Sequence, residues 1–154
     1  MNPAVIVDVD GTLADVSGIR HYVLADPDRR LFEKFHAASA YVEPIADVAA
    51  VTKALHAAGL TIIMLTARKE RWRRLTLTWL TKWEIPHHAL GMRSDNDHRR
   101  DDDVKRDLPI RMRHLYDVEP VLAIDDNPTV IALWRSLKIP TVQVPGWHTD
   151  PPVR

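Results

Sequence analysis

The stretch Val5-Ile6-Val7-Asp8-Val9-Asp10-Gly11-Thr12 constrains the fold more than any other. Three β-branched residues in succession read as a strand buried on both faces, the habit of a parallel sheet. Two carboxylates two residues apart follow it. Side chains at i and i+2 of an extended segment point the same way, so Asp8 and Asp10 meet just beyond the strand's carboxyl end. Open α/β sheets bind their ligands there. Gly11 permits a sharp exit. Two acids this close repel each other unless a cation or a shared proton relieves them. An aspartate is also a nucleophile toward phosphorus. A lone DxD is common at an ordinary strand end, but DVDGT is a far more specific string.

Length and composition narrow the class. A chain of 154 residues predicts one domain with a full core. Apolar residues at 45% and charged ones at 27% are ordinary for a globular protein. The 21 basic and 21 acidic side chains balance, which excludes an indiscriminate electrostatic nucleic-acid binder but not a local basic patch. With no cysteine, disulfides, thiolate metal sites and cysteine nucleophiles are excluded. Neither a signal peptide nor an apolar run of membrane-spanning length is legible, so the expectation is a cytoplasmic protein with no membrane partner.

Taken in order, residues 13–43 read as an insertion. It holds Gly18, a turn at Asp26-Pro27-Asp28 and a short helical piece at about 30–38. A helix at about 45–58 follows, closed by Gly59 at C′. Residues 60–65 are a second buried strand, ending at Thr66-Ala67-Arg68. The next helix spans 70–84, with Trp72, Leu75, Trp79 and Trp83 near one face. That stripe suits a core better than a base-stacking platform. Residues 87–92 form a weak third strand. A charged loop, 93–103, leads into a helix that Pro109 should kink or split. Residues 121–124 are a fourth strand, after which Asn127 or Asp126 caps a helix with Pro128 in its first turn. A short strand at 141–144 precedes an irregular tail at 145–152. The alternation predicts a doubly wound, Rossmann-like parallel five-stranded α/β sheet with a minimal cap insertion and no second domain.

Under that architecture Asp8, Asp10, Thr66, Asp125 and Asp126 converge at the strand ends. The ordered set is DxDGT, a strand ending in Thr, Lys105 near a helix start, and a strand ending in Asp-Asp. It resembles the four motifs of the haloacid-dehalogenase-like phosphatases. A closer resemblance runs through Arg93-Ser-Asp-Asn-Asp-His-Arg99-Arg-Asp101-Asp-Asp-Val-Lys105, Tyr116-Asp-Val, Val121-Leu-Ala-Ile-Asp-Asp126 and Ala132-Leu-Trp134-Arg. These are similar to the phosphatase domain of phage-type polynucleotide kinase/phosphatase. Thr66-Ala67-Arg68 stands where that family has Ser/Thr-Gly-Arg, with Ala67 a departure. The chain contains no GxxxxGK[ST], so it holds no P-loop kinase half.

The resemblance implies phosphomonoester hydrolysis through an aspartyl-phosphate. Asp8 is the expected nucleophile. Asp10 is the expected acid toward the leaving oxygen and then the base toward water. The two need opposite protonation states, which their mutual repulsion is expected to supply. Convergent oxygen donors call for a hard divalent cation, Mg²⁺ fitting best. Its expected ligands are Asp8, Asp125 and the main-chain carbonyl of Asp10, with Asp126 binding directly or through water.

Thr66 is expected to hydrogen-bond a phosphate oxygen, and Lys105 to balance Asp8 and the transferring group. Arg68, Arg93 and Thr12 are the candidates for substrate contacts, while Arg99 and Asp101 are expected to pair structurally. Trp147-His148 belongs at the site mouth; His87, His88 and His98 read as surface or loop histidines. The implied substrate is a 3′-phosphorylated DNA or RNA end, with a 2′,3′-cyclic phosphate as a second. A phosphatase for free nucleotides and a non-catalytic nucleic-acid-processing module are the alternatives, the intact Asp8/Asp10 pair opposing the latter. A separate kinase or ligase acting in trans is compatible with either enzyme reading.

Overall fold

In a computed structural model of the protein, residues 1–24, 28 and 30–147 are described. Asp26, Pro27 and His148 lie outside the described residues. Five strands form one all-parallel sheet: β1 (Asn2–Val7), β2 (Thr61–Lys69), β3 (Ala89–Arg93), β4 (Val118–Asp125) and β5 (Thr141–Gln143). Their spatial order is β3-β2-β1-β4-β5, so the apolar run read from the sequence is the central strand. Along β1, Val5 and Val7 face one core while Ala4 and Ile6 face the other. β2 repeats the alternation with Ile62 and Met64 against Ile63 and Leu65. Each such fully buried aliphatic side chain contributes on the order of 1.5–3 kcal/mol.

Helices cover both faces. On one lie α1 (Phe32–Ala38), α2 (Ala46–Ala57) and α3 (Arg73–Lys82), supplying Phe35, Val48, Ala49, Trp79 and Leu80. On the other lie α4 (Asp101–Tyr116) and α5 (Pro128–Ser136), supplying Val104, Leu108, Met112, Val130, Leu133 and Trp134. The expected doubly wound architecture is thus present. The tryptophan stripe packs: Trp79 is buried and its Nε1 donates to the Val42 carbonyl at 2.8 Å, while Trp72 and Trp83 rest on the same core. Leu75 is not one of its buried members; Thr76 and Leu80 take the inner places.

The insertion leaves and rejoins the chain at one place. Ile45 N–H donates to Leu13 O at 2.8 Å and Asp15 N–H to Glu43 O at 2.9 Å, closing its base. Between them stand 3-10 turns at Ser17–Tyr22 and Ser39–Tyr41 on either side of α1.

Several boundaries differ from expectation. β2 runs on through Thr66 to Lys69, because the polar residues after Leu65 still pair, Lys69 with Arg93 of β3. α3 begins at Arg73 after a 3-10 turn at Glu70–Trp72. β4 begins at Val118, and Pro120 inside it coincides with a register shift that leaves Val121 extra against β1. Pro109 does not split its helix: α4 is continuous from Asp101 to Tyr116. Its missing N–H forfeits one bond to the Lys105 carbonyl. Leu108 and Met112 on either side are buried in the core, and that packing holds the helix together. No helix among the described residues is long and apolar enough to cross a membrane.

Candidate active site

Chain order reverses between β1 and β4, and the residues following these two neighbouring strands face each other. Asp8 N–H donates to Ile124 O at 3.0 Å, which seats the first acid beside the end of β4. Lys105, reaching in from the start of α4, donates to Asp8 Oδ1 and to Asp125 Oδ2, both at 2.7 Å. The other Asp125 oxygen accepts from Asn127 N–H at 3.1 Å. Asn127 Oδ1 in turn accepts from Thr129 N–H at 3.0 Å and caps α5, as one of the two expected residues, leaving Asp126 free of that duty. Thr12 Oγ1 stands 3.0 Å from Asp8 Oδ2 and 3.1 Å from Asp126 Oδ1, tying the first motif to the last. Asp8, Thr12, Lys105, Asp125, Asp126 and Asn127 are all buried. Gly11 has φ +80° and a Cβ there would overlap the Asp126 carboxylate, so this turn requires glycine.

Burial pushes the Asp8 carboxyl well above its usual value, and the Asp125 and Asp126 charges add to the rise against the pull of Lys105. Asp126 is likewise raised, by burial and then by Asp125. Burial alone would depress Lys105, but the Asp125 and Asp8 carboxylates outweigh it and hold the ammonium above its usual range. Lys105 thus bonds two of the three acids, Asp8 and Asp125, while the third, Asp126, has the Arg20 guanidinium 3.5 Å from its Oδ2. That Asp126 oxygen is buried and has no hydrogen-bond partner. One oxygen from each of Asp8, Asp125 and Asp126 lies within 4.8 Å of the others. An unsatisfied oxygen within an excess of buried negative charge, among oxygen donors only, fits a hard divalent cation.

Asp10 belongs to a different arrangement. Arg68 grips its carboxylate with two parallel bonds, Nε to Oδ2 at 2.9 Å and Nη2 to Oδ1 at 2.6 Å. The third nitrogen, Nη1, donates to Thr76 Oγ1 at 3.0 Å, and Thr76 donates onward to Trp72 O at 2.9 Å. Arg68 is 1% exposed, whereas the Asp10 side chain keeps 22%. Burial would raise Asp10, but Arg68 more than cancels it and holds the carboxyl below its usual value. Mutual repulsion of the pair was expected to leave Asp8 ionised and Asp10 protonated. The neighbours decide otherwise in the protein alone, and the bias runs the opposite way.

The remaining candidates fall as follows. Thr66 is buried with its Oγ1 accepting from Arg68 N–H at 3.2 Å, which leaves the hydroxyl hydrogen for another acceptor. Arg93 is buried beside the site loop, donating to Ala67 O, Asp97 O, Arg99 O and Asp101 Oδ1. The expected Arg99–Asp101 pair is not formed. Asp101 pairs with Arg93, and Arg99 with Asp97 and Asp107, because the loop turns back on itself through an Asp97 N–H bond to Ser94 O. Sequence reasoning passed over Arg20 and Thr76. Arg20 sits in a 3-10 turn of the insertion with no local signal, and Thr76 reads only as a helix residue.

This sheet, with its paired acids at the carboxyl ends of β1 and β4, defines a hydrolase of the haloacid-dehalogenase type. The family model for the polynucleotide kinase PNKP phosphatase domain matches residues 2–146, and the chain belongs to that family of phosphate-ester hydrolases. A bifunctional polynucleotide kinase/RNA ligase of Autographa californica nuclear polyhedrosis virus is 31% identical over 142 residues. That match takes in 90% of this chain and 19% of the viral protein. A chain in the structure of the Pnkp1/Rnl/Hen1 RNA repair complex superposes with TM-score 0.76 at 31% identity, over 94% of this chain and 42% of that one. The class C acid phosphatase of Bacillus anthracis shares the fold, with TM-score 0.68 at 15% identity, over 94% of this chain and 66% of its own. The chain thus spans less than half of the two more similar relatives.

Proposed function

We propose that the protein is an Mg²⁺-dependent phosphomonoesterase that works through an aspartyl-phosphate on the 3′-phosphate of a polynucleotide end. The observation that carries this reading is the division of labour in the site. Asp8 shares Lys105 with Asp125 beside an unsatisfied Asp126 oxygen, while Asp10 is held apart by Arg68 at the more exposed edge. Asp8, Asp10, Thr66, Lys105, Asp125 and Asp126 all belong to this one α/β unit, and we assign the phosphatase activity to it.

In the first step an Asp8 oxygen bonds to phosphorus as the bond to the ester oxygen breaks, and Asp10 gives that oxygen its proton. In the second, water attacks the acyl phosphate and passes a proton to Asp10, releasing inorganic phosphate and free Asp8. A bound Mg²⁺, held by Asp8, Asp125, the Asp10 main-chain carbonyl and Asp126, would supply positive charge for the ester oxygens and draw Asp8 toward its ionised form. The incoming dianionic ester opposes Arg68 and raises Asp10, so substrate itself brings the acid to its working state. Arg68 then acts by aiming Asp10, with Thr76 fixing the guanidinium. Thr66 donates its hydroxyl to a phosphate oxygen. Lys105 neutralises the transferring group, a contribution on the order of 3 kcal/mol or about a hundredfold in rate. Arg93, by bonding Ala67 of β2, Asp97 and Arg99 of the loop and Asp101 at the start of α4, holds Lys105's helix in place.

The polynucleotide substrate rests on family membership and on the relatives, one described as a polynucleotide kinase/RNA ligase and one solved within an RNA repair complex. A kinase or ligase working beside this chain on the same ends follows from that reading. The test is phosphate release from a 3′-phosphorylated oligonucleotide, with the 5′-phosphorylated isomer beside it, in Mg²⁺ and in EDTA. Metal-dependent release from the 3′ end alone, abolished by Asp8→Asn, is expected. Turnover of an aryl phosphate without release from either end would keep the chemistry and discard the substrate. No turnover of any phosphomonoester in Mg²⁺ would favour a non-catalytic module.

A further inference from the structure

The segment after β5 comes back to the site. Val144 N–H donates to Asp125 O at 3.0 Å. Two residues on, a Cβ at Gly146 would overlap the Gly11 carbonyl, so only glycine lets the tail lie this close to the first-motif loop. Arg20 clamps the approach: its Nη2 donates to Gly146 O at 2.6 Å and stands 3.5 Å from Asp126 Oδ2. The same guanidinium lies over the Trp147 ring, 5.8 Å from its centroid. Arg20 is largely covered, whereas Trp147 remains 42% exposed. Phe32, Tyr41 and Tyr116 are also exposed, but among the described residues Trp147 is the one with a cation–ring contact to Arg20.

An indole fixed by a cation, two short links from Asp126 and still facing solvent, is a stacking surface at the mouth of the site. Those links are 3.5 Å from Asp126 Oδ2 to Arg20 Nη2 and 5.8 Å from the guanidinium carbon to the indole centroid. We propose that Trp147 is the platform on which the terminal nucleobase of a 3′-phosphorylated strand stacks while the phosphate enters at Asp8. This rests on the polynucleotide reading above and adds to it a specificity determinant supplied by the tail. Every base presents a π-face, so the platform selects nucleotides over simple phosphate esters without choosing among bases.

Two oligonucleotides test it, both ending in a 3′-phosphate, one with a normal terminal nucleotide and one whose terminal residue is abasic. Trp147→Ala is expected to raise KM by about tenfold on the base-bearing end, the usual loss for one aromatic–base stack. It should leave KM on the abasic end and kcat on both ends unchanged, and Trp147→Phe should recover most of the loss. Equal losses on the two ends would mean that Trp147 only packs the tail, and no loss on either would mean that it faces empty solvent; both overturn the platform. The unaltered protein is run first. Failure to release phosphate from either end would sink the polynucleotide reading and the platform with it, a result distinct from release that ignores Trp147.

Discussion

The two aspartates of the DxD motif stand two residues apart, yet they live in different electrostatic neighbourhoods. On the Asp8 side a fully buried lysine confronts Asp8 and Asp125, with Asp126 close behind, and negative charge is in excess. On the Asp10 side a fully buried arginine confronts one partly exposed carboxylate, and the charges balance. Proton affinity is accordingly raised at Asp8 and lowered at Asp10. Proton affinity at a motif position is thus set by burial and by the charges folded around it, not by the spacing of the motif. The excess on one side is what calls for a cation, and the balance on the other is what keeps Asp10 aimed.

The contrast is sharpest when each cation is removed. Lys105→Met leaves two buried carboxylates facing one another without a counter-charge, which should cost about 3–5 kcal/mol of stability. Arg68→Met leaves one carboxylate that reaches water, so about 1–3 kcal/mol is expected. Denaturant melts in EDTA measure both. A larger loss for Arg68→Met would break the comparison.

A smaller effect lies in the pH dependence of stability, again in EDTA. Asp10 is depressed in the fold, so its pairing with Arg68 stabilises above the unfolded value of 3.8 and fades as pH falls below it. Asp8 is raised, so its contribution is most favourable below 3.8 and is lost as pH rises through the folded value. The stability difference between the unaltered protein and Asp10→Asn should therefore shrink on acidification. The difference from Asp8→Asn should move the other way, in favour of the unaltered protein. Parallel shifts for the two variants would show that the neighbourhoods are alike after all.

The smallest expected effect is a control outside both neighbourhoods. The bonds from Arg99 hold Asp97 down to about 2, and neither side chain bonds to Asp8, Asp10, Asp125 or Asp126. Arg99→Ala should return Asp97 to about 4, read by NMR titration, with turnover unaltered. A change in turnover would extend the site's electrostatics further along the loop than the pairing indicates.

Legibility from sequence followed the range of each interaction. The five strands, the doubly wound order and the convergence of Asp8, Asp125 and Asp126 were readable, because apolar runs and strand-end acids are local patterns that a parallel sheet assembles in one way. The Asn127 cap was readable for the same reason. The continuity of α4 through Pro109 was not, since it depends on how Leu108 and Met112 pack against strands far away in the chain. Nor was the exchange of partners that gave Asp101 to Arg93 and left Arg99 with Asp97 and Asp107.

By itself the amino-acid order determined which groups could carry chemistry, that they would gather at one edge of a sheet, and that oxygen donors would dominate there. Periodicity and composition are properties of neighbouring residues, and these follow from them. Only the tertiary structure decided which cation each acid faces, that Arg20 of the insertion meets both Asp126 and the tail, and that Gly146 lies against Gly11. Those are contacts between segments separated by many residues. Their energies depend on burial and on the sum of surrounding charges, which exist only once the chain has closed around them.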